Sequence, residues 1–349
     1  MHIYTIGHPS LHGGANTELW HTLKLWRHYG AEVTVIPTWS TSRDWVQKLS
    51  GIGCEVHGIR VNPAKVFLPD DSLVVSFCNP PFVSISHQLR NCRLIYVPCM
   101  CYWDDPLDRL TLDRDGPCDA YVCQSHYQRR LLWPRLHAAG VSDERCPIIR
   151  GAFDTSEFPF LPSSHRNGDP FVIGRLSRSD PRKYPDNLWG IYSRLAPPMR
   201  VRVMGWSVLV ERYIGRPPEW VEALQQCGEP SVKFIHSLHC MVHPTRDTLV
   251  ENWPRVALEA MSCGVPVVTD RRGGPCEMIE HGQTGFLCDD IDDFVRYTTE
   301  LAEDEQLRLE IASRARTALE EELADPETIW GGWKRLFDSL REGTVNMRC

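Results

Sequence analysis

The sequence predicts an α/β protein of two domains, and three observations carry that expectation. At 349 residues the chain is too long for one ordinary hydrophobic core and suits two domains of about 100–200 residues each. It opens with a strand, a loop, a helix and a second strand, and the same alternation returns after residue 170. Between the two halves, residues 157–169 set Pro159, Pro162, Ser163, Asn167 and Gly168 among charged and polar residues, a composition that marks a boundary.

Each element has its own reason. His2–Ile6 reads as a buried strand and residues 7–14 as a loop carrying Gly13 and Gly14. Leu19, Leu23 and Trp26 then recur on one face of a helix expected over residues 16–29, and Glu32–Ile36 is the next strand. Leu73–Phe77 and residues 93–98, 120–123 and 147–149 supply further short apolar runs. Ser125 is the expected N-cap of a helix over 126–139. Past the boundary, 171–173 opens a strand, a helix is expected over 186–195, and 201–204 is a strand. Residues 233–235 and Cys240–His243 read as further sheet elements. Near the end Ile329, Trp330, Trp333, Leu336, Phe337 and Leu340 keep helical spacing despite Gly331 and Gly332, which predicts an amphipathic helix with two aromatic anchors.

Residues 251–268 are the most informative stretch. Two carboxylates stand eight positions apart, Glu251 ahead of a helix start and Glu259 inside the helix. Pro254 is tolerated in a first turn, where its missing N–H costs nothing. Val256, Ala257, Leu258, Ala260 and Met261 carry the helix, Gly264 ends it, and Val265, Val267 and Val268 suit a parallel strand covered on both faces. Such a unit offers free N–H groups to a phosphate and a mid-helix carboxylate to a pair of hydroxyls, the combination a sugar nucleotide presents. The plainer alternative is a Glu251 that satisfies the helix dipole and a solvated Glu259. Gly13 and Gly14 have the same two readings, close approach to a phosphate or sugar, or a tight turn.

This segment resembles the donor-binding signature of retaining glycosyltransferases with two Rossmann-like domains facing each other across a cleft, the GT-B fold and its family 4-like group. Residues 273–277 (Gly273, Gly274, Pro275, Cys276, Glu277) and 282–287 continue the resemblance, as do Gly174 and Arg175 with Lys183 eight residues further on. Residues 165–300 carry most of it; the first half resembles the family in its opening glycine loop and general pattern.

The resemblance implies an N-terminal acceptor-side domain over 1–158, a nucleotide-sugar domain over 170–320, and a last helix over 321–345 that crosses back to the first domain. It implies a catalytic set of Glu251, Arg175 and Lys183, and a donor-binding set of Gly13, Gly14, Arg175, Lys183, Glu251, Glu259, Gly273 and Gly274. Glu251 would meet the transferred sugar, Glu259 the ribose, and Arg175 and Lys183 the phosphates, with Arg175 forking onto their oxygens. A field at the N-terminus of a helix near Pro275 would add to them. The donor would be a UDP-sugar or GDP-sugar, used as substrate without cofactor or metal. A hexosyl group would move to an acceptor hydroxyl with retention, the donor phosphate helping to deprotonate it. The acceptor stays open among a glycan, a lipid, a metabolite and a modified nucleoside.

Two departures stand out. Tyr184 and Pro185 follow Lys183 where the family has a glycine, and the histidine usual after the strand at 94–98 is replaced by residues 99–105, with Asp104 or Asp105 as candidate substitutes. Alternatives to transfer are a non-catalytic nucleotide-sugar sensor or scaffold, and a related carbohydrate-processing enzyme performing epimerisation or phosphorolysis.

Composition narrows the field further. The net charge is −7, and residues 1–150 are close to neutral, with 15 Lys/Arg against 14 Asp/Glu and nine of the 14 histidines. No strong basic patch or nucleic-acid module is evident. The 14 cysteines are scattered without paired CxxC spacing, which argues against structural zinc. Cys99 and Cys101 with His87 or His126 form a conceivable metal set, but alternation along a strand explains their spacing more simply. Without a signal segment or an apolar run of about 20 residues, the expected location is the cytoplasm, although a surface patch could still meet a membrane.

Overall fold

The computed structural model describes residues 1–342 except 8, 10–12, 39–40, 59–66, 80–81, 83–85, 90, 102–116, 167 and 197. The chain forms two units, Met1–Phe153 together with the chain from Ala324 onward, and Asp154–Leu323.

The first unit is built on β1 (His2–Ile6), β2 (Glu32–Ile36), β3 (Glu55–Val56), β4 (Leu73–Phe77), β5 (Arg93–Val97) and β6 (Ala120–Tyr121). They lie in the order β3-β2-β1-β4-β5-β6, every neighbouring pair parallel. β4 and β5 are buried along their whole length, as parallel strands covered on both faces require. Residues 147–149 form no strand; they give a single bridge between Cys123 and Ile148, because Pro147 has no N–H for a ladder.

Helix α1 (Gly14–His28) buries Leu19, Leu23 and Trp26, the face its periodicity marks. Helix α2 (Arg43–Gly51) starts at Ser42, whose hydroxyl accepts from Trp45 N–H, and buries Leu49. Helix α3 (His126–Ala138) starts after Ser125, which accepts from Gln128 N–H. The C-terminal helix Pro326–Glu342 completes this unit's core. Trp26 meets Trp333 edge-on at 5.0 Å between ring centroids and Phe337 at 5.7 Å, while Tyr29 stacks on Trp330 at 5.4 Å. Gly332 looks out of place in that helix until its neighbour is seen: a Cβ there would stand 3.3 Å from the Ile149 side chain. Its absence lets the helix lie close.

The second unit comprises β7 (Val172–Leu176), β8 (Arg200–Trp206), β9 (Val221–Gln225), β10 (Cys240–His243), β11 (Val267–Asp270) and β12 (Phe286–Cys288). Their order is β12-β11-β10-β7-β8-β9, again all parallel. Counted from its own first strand, each sheet runs 3-2-1-4-5-6, so both units are Rossmann-like. Strand order reverses between β7 and β10, and in such sheets the crevice beyond the carboxyl ends at that point is where ligands bind.

Helix α4 (Leu188–Ser193) falls within the helix expected over 186–195. Residues 233–235, read above as sheet, lie instead in helix α5 (Ser231–His236), where Phe234 and Ile235 are both buried. A three-residue apolar run carries no period, which is why helix and strand could not be separated there. Helix α6 (Arg255–Cys263) begins after Pro254 and ends at Gly264, whose φ of 81° closes it in the left-handed region. Among the described residues no helix is long and apolar enough to cross a membrane.

Trp333 is 2% exposed at the centre of the aromatic cluster. Trp333→Ala should lower the stability of the first unit by about 3–5 kcal/mol, read as a drop in urea midpoint at unchanged slope.

Candidate active site

The site is built around the switch point of the second sheet. Arg175, on β7, is fully buried. Its Nη1 donates to the Pro244 carbonyl just beyond β10 at 3.0 Å, and its Nη2 donates to the Lys183 carbonyl at 2.8 Å. The guanidinium lies 4.5 Å from the Tyr184 ring centroid, and Nε is buried without an acceptor among the described residues. Burial pushes the Tyr184 hydroxyl up to about 12 against the lowering effect of Arg175, so it stays protonated and donates a hydrogen bond to the Gly205 carbonyl at 2.7 Å. The fork expected on phosphate oxygens is thus closed on two main-chain carbonyls. In this structure Arg175 serves the site by fixing the backbone of Lys183.

Lys183 ends a short 3-10 turn, Pro181–Lys183, capped by Asp180, whose carboxylate accepts from Arg182 N–H at 3.0 Å. The residue after it has φ −109° and ψ 120°, ordinary extended backbone. No glycine is needed there, and Tyr184 uses the position to fill the space beneath Arg175. The Lys183 ammonium lies 2.5 Å from Glu251 Oε1, with the two side chains 16% and 15% exposed.

Glu251 is held from the other side. Its carbonyl accepts from Gly274 N–H at 2.9 Å. A Cβ on Gly273 would stand 2.6 Å from the Glu251 carbonyl oxygen, and one on Gly274 only 1.4 Å from that of Asn252. The glycine pair therefore lets two stretches of main chain touch, and that contact is what sets Glu251. The helix behind them, Pro275–Met278, has four residues. Few aligned peptides stand behind its N-terminus, so the field expected near Pro275 is not supplied by a helix of useful length.

A second support had no signature in the sequence reading. Thr245 N–H and hydroxyl both donate to Asp270 Oδ2, at 2.6 and 2.7 Å, while Arg272 donates to the Thr245 carbonyl at 2.6 Å and to Asp247 at 2.9 Å. This ties the loop that leads to Glu251 onto the end of β11. A threonine two places past one strand and an aspartate ending the next were the available clue.

Glu259 sits mid-helix in α6, 9% exposed, with no protein hydrogen bond among the described residues. Burial raises its carboxyl to about 7, with Arg255 one turn earlier pulling the other way. His243, at the end of β10, is held neutral: burial, then Arg175 and Lys183, push its imidazole well below the usual range. A small recess at the start of α6 is lined by His243, Glu251, Pro254, Thr269 and Pro275 among others.

Arg175, Lys183, Glu251, Gly273 and Gly274 are thus brought together, and Glu259 lies on the helix that follows Glu251. Gly13 and Gly14 belong to the other unit, at the first turn of α1, where Gly13 (φ 92°) accepts from Asn16 N–H at 3.1 Å. Cys99 points its thiol toward the Val97 carbonyl at 3.7 Å. Asp104 and Asp105 lie outside the described residues. Among those described, no three His, Cys, Asp or Glu side chains are grouped as metal ligands.

The fold, two Rossmann-like units, is shared with solved structures, and part of the second unit matches a glycosyltransferase family model. Residues 159–318 match the family model "Glycosyl transferases group 1". Among curated relatives, N-acetyl-alpha-D-glucosaminyl L-malate synthase of Bacillus anthracis is 35% identical over 94 residues, covering 26% of this chain and 25% of its own. The GDP-mannose-dependent alpha-(1-6)-phosphatidylinositol monomannoside mannosyltransferase of Mycolicibacterium smegmatis is 27% identical over 216 residues, covering 54% of this chain and 53% of its own. The chain thus spans about a quarter of the first and about half of the second. Among solved structures, Anabaena HepE in complex with UDP-glucose superposes with a TM-score of 0.73 at 18% identity, over 98% of this chain and 100% of that one. Sucrose-phosphate synthase from Thermosynechococcus elongatus gives 0.73 at 17%, over 98% and 100%. At such identities these two show a shared fold.

Two outcomes follow from the supports. Gly274→Ala forces the Asn252 carbonyl away, so it should cost about 1–3 kcal/mol of stability and displace Glu251, read by thermal unfolding and by nucleotide titration of the folded fraction. Glu259 has a folded pKa near 7 against an ordinary 4.5, so its contribution is most favourable below 4.5 and is lost as pH rises through 7. Glu259→Gln removes that loss: its urea stability relative to wild type should rise between pH 4.5 and pH 8, by up to about 3 kcal/mol. A parallel pH dependence in both proteins would overturn the assignment.

Proposed function

We propose that this chain is a retaining glycosyltransferase that moves a hexosyl group from a nucleoside-diphosphate sugar to an acceptor hydroxyl. The observations that carry the reading are the held pair of Lys183 and Glu251 and, on the helix that follows, a buried Glu259 with no hydrogen bond among the described residues, all inside the segment that matches the glycosyltransferase model. Lys183 takes the diphosphate as a point charge, and its stabilisation grows as the leaving group gains negative charge. Arg175 keeps it in place. Glu259 accepts from the ribose hydroxyls, and Glu251 from the sugar.

Retention follows in this reading from attack on the face the leaving group departs, with the donor phosphate taking the acceptor proton. No protein nucleophile is assigned, and Glu251 is not one. The UDP-glucose held by HepE supports a UDP-sugar, and the GDP-mannose dependence of the mycobacterial relative supports a GDP-sugar. The acceptor belongs on the first unit, where Gly13 and Gly14 open α1. Described cysteines that are all free support a reducing, cytoplasmic location.

A sensor that keeps the donor site without chemistry is favoured by one departure in the sequence: residues 99–105 hold no histidine, where the resembling family carries one after the strand at 94–98. Product formation separates the two. A mass-spectrometric screen of UDP- and GDP-sugars against glycans, lipids, metabolites and modified nucleosides should yield a glycosylated product; tight donor binding with no transfer across that panel would favour the sensor.

Lys183→Ala should weaken binding of the preferred nucleoside diphosphate by about 1.5–3 kcal/mol in calorimetric titration. Unchanged affinity for both UDP and GDP would remove Lys183 from the donor site.

A further inference from the structure

Lys183 and Glu251 touch, yet a nucleotide sugar would ask opposite things of them. The ammonium lies 2.5 Å from Glu251 Oε1, with both side chains largely buried. Neither partner is loose. Arg175 holds the Lys183 carbonyl from below, and Gly274 N–H holds the Glu251 carbonyl from the side. The pair is therefore built into the folded site, unlike a surface contact between two long flexible chains. The charged neighbours do not compete for either partner's hydrogen bond: His243 is neutral, and Arg175, though charged, turns both terminal nitrogens to carbonyls.

A diphosphate that takes Lys183 brings negative charge beside the Glu251 carboxylate. Two cases then differ. With an intact donor, the hydroxyls of the sugar donate to the carboxylate and replace the lost ammonium. With the bare nucleoside diphosphate, nothing replaces it; the carboxylate repels the phosphates and competes for the ammonium. We propose that Glu251 makes the site discriminate the intact donor from the released nucleoside diphosphate, by reclaiming Lys183 once the sugar has gone. The inference rests on the reading above, in which Lys183 meets the diphosphate and Glu251 the sugar. Its product is faster release: the same carboxylate that holds the sugar helps expel what the sugar leaves behind.

The test is a calorimetric cycle on the full chain with UDP, GDP and the matching intact nucleotide sugars, using wild type, E251Q, K183M and the double variant. E251Q should bind the nucleoside diphosphate about three- to tenfold tighter while binding the intact donor no tighter, and the gain should vanish in the K183M background. Product inhibition by the nucleoside diphosphate should deepen by a similar factor. E251A should repeat the sign. Unchanged or weaker nucleoside diphosphate binding in a variant with wild-type circular dichroism overturns the proposal while leaving the donor assignment intact. If neither Glu251 variant folds, wild type decides: bare nucleoside diphosphate binding as tightly as the intact donor overturns it. K183M with unchanged affinities would instead sink the underlying donor assignment.

Discussion

A buried guanidinium bound to two carbonyls is the interaction on which the rest of the site depends. Arg175 leaves β7 at the point where strand order reverses, and its two terminal nitrogens close on Pro244 beyond β10 and on Lys183 across the turn. Parallel strands end in loops with no ladder to hold them, so something must fix the distance between neighbouring loops at a switch point. A planar fork with a permanent charge suits the task better than an ammonium, because two carbonyls can be bound at a fixed angle. Tyr184 completes it by stacking on the guanidinium and bonding Gly205 at the end of β8. Three adjacent strand ends are thereby tied into one platform.

On that platform the polar groups are supported from the main chain outward. Lys183 is placed through its carbonyl, Glu251 through a backbone contact that tolerates no Cβ at Gly274, and the intervening loop through Thr245 and Asp270. Glu259 is the contrast. It is buried and makes no hydrogen bond among the described residues, and a carboxylate in that state opposes folding when ionised. Sites where a chain keeps such a burden are where a ligand is expected to relieve it.

Much of this was legible in residue order. The switch from apolar alternation to helical spacing marked β1, α1 and β2, and the cap at Ser125 marked the start of α3. Glu251 and Glu259 could be singled out because a proline, a helical run, a glycine and a valine-rich strand follow in one register. What stayed hidden were relations between distant residues. Nothing around Gly273 says that its neighbour meets Asn252, and nothing around Arg175 says that Pro244 will take its first nitrogen, since both facts arise only when the sheet brings the loops together. The short helix at 231–236 was hidden for another reason: three apolar residues carry too little period to choose a conformation.

The division of the chain has a consequence for its synthesis. The second unit, Asp154–Leu323, is one unbroken stretch, while the first draws its core from both ends of the sequence. A ribosome therefore delivers everything the second unit needs before it delivers Trp333 and Phe337, which cover Trp26. Until then the first unit waits with Trp26 on α1 uncovered, a state prone to sticking. The domain made first is thus the one completed last, and a chain cut short just after Leu323 would carry a complete second unit joined to an unfinished first one.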